Sequence, residues 1–342
     1  MLKNYNHLMS NTSGALNTIR VIAMTGVILD HFLQSTGKPT LSNTGLWMGG
    51  VCLMVFFALS SYLFGMKWSK GTFEPFGVSS FLKKRCMRIF IPLWISLPIV
   101  VLIEWLVRAS FDIKTIVFNV IGLGWAKPFG VAGHLWYITL MMFLYLMFIV
   151  FSRVRLNRWR LIYWLAGYVV MVLIYTMGGR YFSTFSSVAP VITLFFASLL
   201  FYKSNELMSL VRRWRKMSMF ITMVALAFSW WMYLAGWHDS HKAISTISSF
   251  SAGFALFVCL LAFLKCDSNH ASVDQLASIS YEVYLIHLPL LPLTAYLLKS
   301  VGIESRGLMV VVWLVLTYFF AIGIHWISRR FSALVLYGDK HE

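Results

Sequence analysis

Long apolar runs follow one another along the chain, separated by short polar stretches. They fall at roughly 16–36, 46–66, 89–107, 134–151, 161–178, 185–202, 217–235, 243–264, 277–298 and 308–327. About 20 residues at a 1.5 Å rise match a hydrocarbon core of roughly 30 Å. The pattern therefore predicts an all-α fold, a polytopic transmembrane helix bundle of about ten helices. Residues 109–132 form the longest connection on one side. Their apolar stretch, 116–125, is too short to span and predicts a re-entrant or interfacial element. The expected organisation is an N-terminal segment 1–15, a membrane domain 16–327 and a tail 328–342. No cleavable leader is expected, because mixed polar residues precede a first apolar run too long for one.

Composition strengthens this picture. Of 342 residues, 59% are hydrophobic and 12% charged, where a soluble domain carries roughly 25% charged residues. Many of the 14 Trp and 15 Tyr lie near the ends of the apolar runs, the depth that amphipathic rings favour. The net charge of +17 does not point to nucleic acid, because Lys and Arg cluster in short loops. With the N-terminus inside, 21 of them fall on the cytoplasmic side and 8 on the other. That asymmetry predicts both termini in the cytoplasm. The four cysteines show no CxxC or Cys/His spacing, so no metal site and no disulfide framework is expected.

Ionisable groups inside a bilayer are costly and mark candidate sites. Arg20 and His31 are eleven residues apart, which returns a helix to within about 20° of the same face and carries His31 about 16 Å deeper. An anchoring arginine with a packed histidine explains the pair equally well. Asp30 adjoins His31, but neighbours on a helix point about 100° apart, so Asp30 is expected to reach the imidazole only through other helices. Arg85 and Arg88 face together if the third helix has begun before them. Paired guanidiniums suit phosphate groups; stop-transfer anchoring is the plainer alternative. His134, Trp136 and Tyr137 open the fourth run at the expected outer interface, where an aromatic belt accounts for the rings and a polar, stacking wall for a sugar is the functional reading. Ser280, Tyr284 and His287 share a polar stripe on the ninth run, which packing toward other helices also explains. Glu104, Glu282 and His325 are further intramembrane groups with no partner assignable.

Taken together these segments resemble the acyltransferase 3 family of integral membrane acyltransferases. Arg20 with His31 is similar to its first-helix signature. Phe56-Phe57-Ala58-Leu59-Ser60-Ser61 is similar to its second-helix pattern, with Ser61 where a glycine is usual. Arg85 and Arg88 followed by Pro92 resemble its Arg-x-x-Arg motif. His134-Leu135-Trp136-Tyr137 and the stretch from Ile279 to His287 resemble later segments in the same order. Met141 and Met142 stand where many members carry an acidic residue, so no acidic helper is expected from the fourth run.

The resemblance implies transfer of an acyl group, most often acetyl, from cytoplasmic acyl-CoA to a carbohydrate hydroxyl. It implies acetyl-CoA as cosubstrate, a location in the inner (plasma) membrane among its lipids, and an acceptor such as an exopolysaccharide, an O-antigen or a lipid-linked sugar. In that reading His31 is catalytic, as general base or as acyl carrier. Arg20, Arg85 and Arg88 hold the donor phosphates, and Asp30, His134, Trp136, Tyr284 and His287 line the substrate. A flippase of lipid-linked sugars and a structural subunit of a polysaccharide synthase are the competing classes. A flippase has no need of a phosphate-gripping arginine pair combined with a deep histidine on the Arg20 face, and loss of glycan synthesis rather than of glycan acylation on deletion would mark the synthase subunit.

Overall fold

The computed structural model describes residues 2–69, 77–109, 112–153, 193, 196–197, 199–200, 206–264 and 271–337. The predicted spans at 161–178 and, apart from a few residues, at 185–202 lie outside them. Among the described residues there are helices and turns and no strand. The helices are α1 (Leu2–Ser35), α2 (Pro39–Ser69), α3 (Gly77–Arg108), α4 (Ile113–Val120), α5 (Trp136–Arg153), α6 (Arg215–Leu234), α7 (Trp237–Ser240), α8 (Lys242–Phe263), α9 (Ala271–Ser278), α10 (Ser280–Ser300) and α11 (Arg306–Tyr337). Seven contain segments long and apolar enough to cross a membrane, and a shorter apolar helix covers Gly133–Ile149. Helix is the required answer here, since in lipid each backbone N–H and C=O must be satisfied within the chain.

Helix ends follow local chemistry. After α1 the chain turns through Gly37, at φ +68°, and re-enters helix at Pro39, whose missing N–H costs nothing in a first turn. α10 closes at Gly302, φ +75°, where Gly302 N–H bonds Lys299 O and Ile303 N–H bonds Leu298 O. That paired closure occupies two carbonyls left open at a helix end. α3 begins well before the apolar run, so the basic stretch around Arg85 is helical. α1 and α11 likewise run without a break past residues 15 and 328.

The chain divides into two compact units, one drawn from Met1–Phe73 and Val150–Ala277, the other from Glu74–Ile149 and Ser278–Glu342. The first holds α1, α2 and α6 to α9. Small residues bring its helices close: a Cβ at Gly49 of α2 would collide with the Asp30 carboxylate of α1, and a close approach of this kind is how helices pack where lipid supplies no hydrophobic drive. Trp47 Nε1 donates to Ser229 Oγ at 2.8 Å, tying α2 to α6.

The second unit packs α10 against α3 and α11, with α4 and α5 alongside. In α4 the polar Thr115 and Asn119 are buried while Ile113, Val117 and Val120 are exposed, the inverse of a water-soluble helix. Trp94 Nε1 donates to Val120 O at 2.8 Å and Thr139 Oγ1 to Gly122 O at 2.7 Å, so the segment is tied to both α3 and α5. Outside the spans, Asp112 pairs with Lys127 and accepts the Lys114 N–H, and these two contacts hold its carboxyl below the usual range.

Candidate functional site

In the first unit, Arg20, Asp30 and His31 all sit on the unbroken α1, so the eleven-residue spacing is realised as one helix face. The His31 side chain is 18% exposed and its Nδ1 lies 3.8 Å from Asp30 Oδ2. The carboxylate therefore reaches the imidazole directly, without another helix between them, contrary to the expectation from the 100° offset. The separation is too long for a hydrogen bond, yet short enough for charge to be felt. Asp30 is buried, and Gln34 Nε2, one turn on, donates to its Oδ1. At the other end of this face Arg20 Nη1 donates to Asn17 Oδ1 at 3.4 Å, and Asn17 Nδ2 donates to Asp274 Oδ1 at 2.8 Å.

The second unit carries the arginine pair. Because α3 starts at Gly77, Arg85 and Arg88 stand three apart on a formed helix and share a side of it. Arg88, Lys83 and Lys84 are exposed, and Arg85 is partly buried with Cζ 5.9 Å from the Tyr145 ring centre, within cation–π range. One guanidinium is thus seated on a ring and the other is presented outward.

The same unit brings together His134, Tyr284 and His287. His134 is buried, its ring 4.8 Å from Tyr284 and 5.0 Å from His287. The ring is enclosed within the unit rather than standing as an open wall. His287 lies about 10 Å along α10 from Ser280, so a ring packed on it is well inside the span. Tyr284 O meets two imidazoles, His134 Nε2 and His287 Nδ1, each at 2.8 Å. A carbonyl only accepts, so both nitrogens carry hydrogen, which fixes each tautomer when the ring is neutral. Tyr284 Oη in turn donates to His134 O. Trp136 is partly buried at the first turn of α5.

A family model described as an acyltransferase domain matches residues 13–330. The chain belongs to the acyltransferase 3 family. No curated protein and no solved structure matches it. With at least seven helices fit to cross a membrane, this acyltransferase is a multi-pass membrane protein.

The structure also brings in residues that the sequence did not single out. Gln34, the partner of Asp30, was readable from its i,i+4 spacing. Tyr145 under Arg85 was not, nor was Trp313, whose Nε1 donates to His287 O at 2.7 Å; both are tertiary contacts without a local signal. The unassigned groups also acquire partners. Glu282 Oε1 meets His325 Nδ1 at 2.9 Å, and Glu104 accepts the N–H groups of Gly130 and Val131 at 3.2 and 2.8 Å. Among the described residues no cluster of three His, Cys, Asp or Glu could hold a metal.

Proposed function

We propose that this acyltransferase moves an acyl group, acetyl in the first instance, from cytoplasmic acyl-CoA to a hydroxyl of a cell-surface or lipid-linked carbohydrate, in the plasma membrane and with both termini inside. The observation that carries the reading is the face of α1: a partly accessible imidazole with a buried carboxylate 3.8 Å away, on the same helix side as Arg20, in a chain matched by the family model over 13–330.

The chemistry follows from those groups. Arg88, with Lys83 and Lys84, supplies exposed cations for the donor's phosphates, and a guanidinium can grip phosphate through two parallel bonds. His31 takes the proton of the acceptor hydroxyl at the ring nitrogen not facing Asp30. The freed oxygen attacks the thioester carbonyl, the C–S bond breaks, and the CoA thiolate leaves and takes up the proton. No net proton or electron is consumed. Asp30 stabilises the positive charge that develops on the ring, and Gln34 holds the carboxylate in place.

The test is acetyl-CoA-dependent transfer by the purified protein in detergent, with mass spectrometry of surface glycans from cells with and without the gene. Loss of an O-acetyl mass increment on deletion, restored by wild type and not by His31→Ala, is the expected result. A glycan that disappears altogether would favour a flippase or a synthase subunit.

A further inference from the structure

The outer end of α3 holds a carboxylate that the chemistry above does not use. Glu104 is buried on a helix that crosses the membrane, where an acidic group is costly unless satisfied. Both of its oxygens are engaged by backbone: Oε1 accepts from Gly130 N–H at 3.2 Å and Oε2 from Val131 N–H at 2.8 Å. Arg108, one turn on, brings Nε to 3.6 Å from Oε1, and its guanidinium lies over Gly130 so closely that a Cβ there would collide with it. The helix ends at Arg108 and the chain turns at the next residue, where Ala109 takes φ 52°.

The gripped loop leads straight to His134. Only Ala132 and Gly133 separate Val131 from it, and Ala132 is completely buried, so the link has no slack. Further ties hold the rest of the segment: Asn119 Nδ2 donates to Thr115 O at 2.8 Å and to Lys127 O at 3.0 Å. Past the grip, His134 and Tyr284 exchange hydrogen bonds in both directions, which transmits the loop's position to α10.

We propose that Glu104 and Arg108 are positioning residues for the acceptor side of the site: they clamp the loop at 130–131 and so set where His134, backed by Tyr284 and His287, stands toward the acceptor. This rests on the reading of His134 as an acceptor-lining group. The donor side, at the opposite end of α3, is untouched by the clamp. A Gln at 104 has one acceptor oxygen and one N–H₂, so it meets one of the two backbone donors with a donor of its own.

The experiment measures amide hydrogen exchange and two rates on the purified full chain. Gly130 and Val131 amides are protected in wild type and exchange about ten- to a hundredfold faster in Glu104→Gln, as loss of bonds to a charged acceptor requires. Gly130→Ala, which leaves the carboxylate intact, gives the same pattern, and Glu104→Asp recovers part of the protection. In parallel, the hydrolysis of acetyl-CoA to acetate and CoA, with water as acceptor, and its Michaelis constant stay within about twofold of wild type, while acetylation of the native glycan in membranes falls about tenfold. Unchanged exchange in both Glu104→Gln and Gly130→Ala overturns the clamp. An equal fall in both rates overturns it too, since the residues would then prop the whole fold. Failure of wild type to use acetyl-CoA would count against the proposed function, and the exchange result would still decide the clamp.

Discussion

His31 and His287 are both imidazoles on spanning helices, and their surroundings are opposite. His31 keeps 18% of its side chain accessible beside a carboxylate. His287 has no exposed surface; its Nδ1 is held between Tyr284 O and Val283 O at 2.8 and 3.1 Å, and its own carbonyl accepts from Trp313. A proton acceptor must keep a nitrogen within reach of its substrate, whereas a ring committed to backbone carbonyls sets geometry. Under the proposed function, chemistry falls to the first and placement to the second.

The largest effect should separate the two. His31→Ala is expected to lower transfer by about a hundredfold or more with normal membrane insertion and an unchanged melting profile in detergent. Activity within a few-fold of wild type would remove His31 from the chemistry. His287→Ala should instead destabilise the second unit by about 2–4 kcal/mol, from the cavity and from the loss of one of the two hydrogen bonds at Tyr284 O. Thermal unfolding in detergent reads that loss, and an unshifted melt would show that the buried network contributes little.

The arginines repeat the contrast on a smaller scale. Arg88 is exposed and Arg85 is seated on Tyr145, so Arg88→Lys, which keeps charge but loses the fork, should raise the Michaelis constant for acyl-CoA about tenfold. Arg85→Lys should raise it less. Steady-state kinetics with the donor varied distinguish these outcomes, and silence in both variants returns the pair to membrane anchoring.

Asp30→Asn keeps the shape around Gln34 and Gly49 while removing the charge beside His31. A fall of about tenfold in kcat at an unchanged donor constant is expected, and equal loss of stability and rate would make Asp30 a packing residue. Smallest of all, Asp112→Asn should leave transfer at neutral pH unchanged. The carboxyl of Asp112 sits below its ordinary value of 3.8, so its tie to Lys127 is complete above that value and is lost only as pH falls through the lower, folded one. Wild type and variant should therefore lose their difference in melting temperature only in strong acid.

Much of this architecture was legible in the sequence because lipid restricts the choices. Apolar length fixed the spans that the structure describes, and the helical identity of α3 at Arg85 turned a conditional pairing into a real one. Depth was less legible. His134 opens an apolar run, and nothing in that run announces that the preceding segment packs it against Tyr284 and His287 in the N-terminal half of α10. What decides that is Glu104 gripping Gly130 and Val131, a contact across 26 and 27 positions that no periodicity announces. Asp30 failed the helical-wheel argument for a simpler reason: side-chain reach offset the backbone angle.

Glu282 and His325 bear on how the polypeptide enters lipid. Glu282 is in α10, among the least apolar of the spans, and His325 is in α11, the most apolar. Glu282 stands in the first turn of α10, where an unpaired acidic group still adds to the cost of insertion, and the partner that relieves it is synthesised 43 residues later. Buried as it is, Glu282 Oε2 has no hydrogen-bond partner among the described residues, so α10 gains its compensation from the far helix alone. The two helices, joined by a link of five residues, are therefore suited to leave the translocation machinery as a hairpin. A nascent chain halted before α11 should leave α10 in contact with that machinery, and His325→Leu should prolong the contact in the full-length chain.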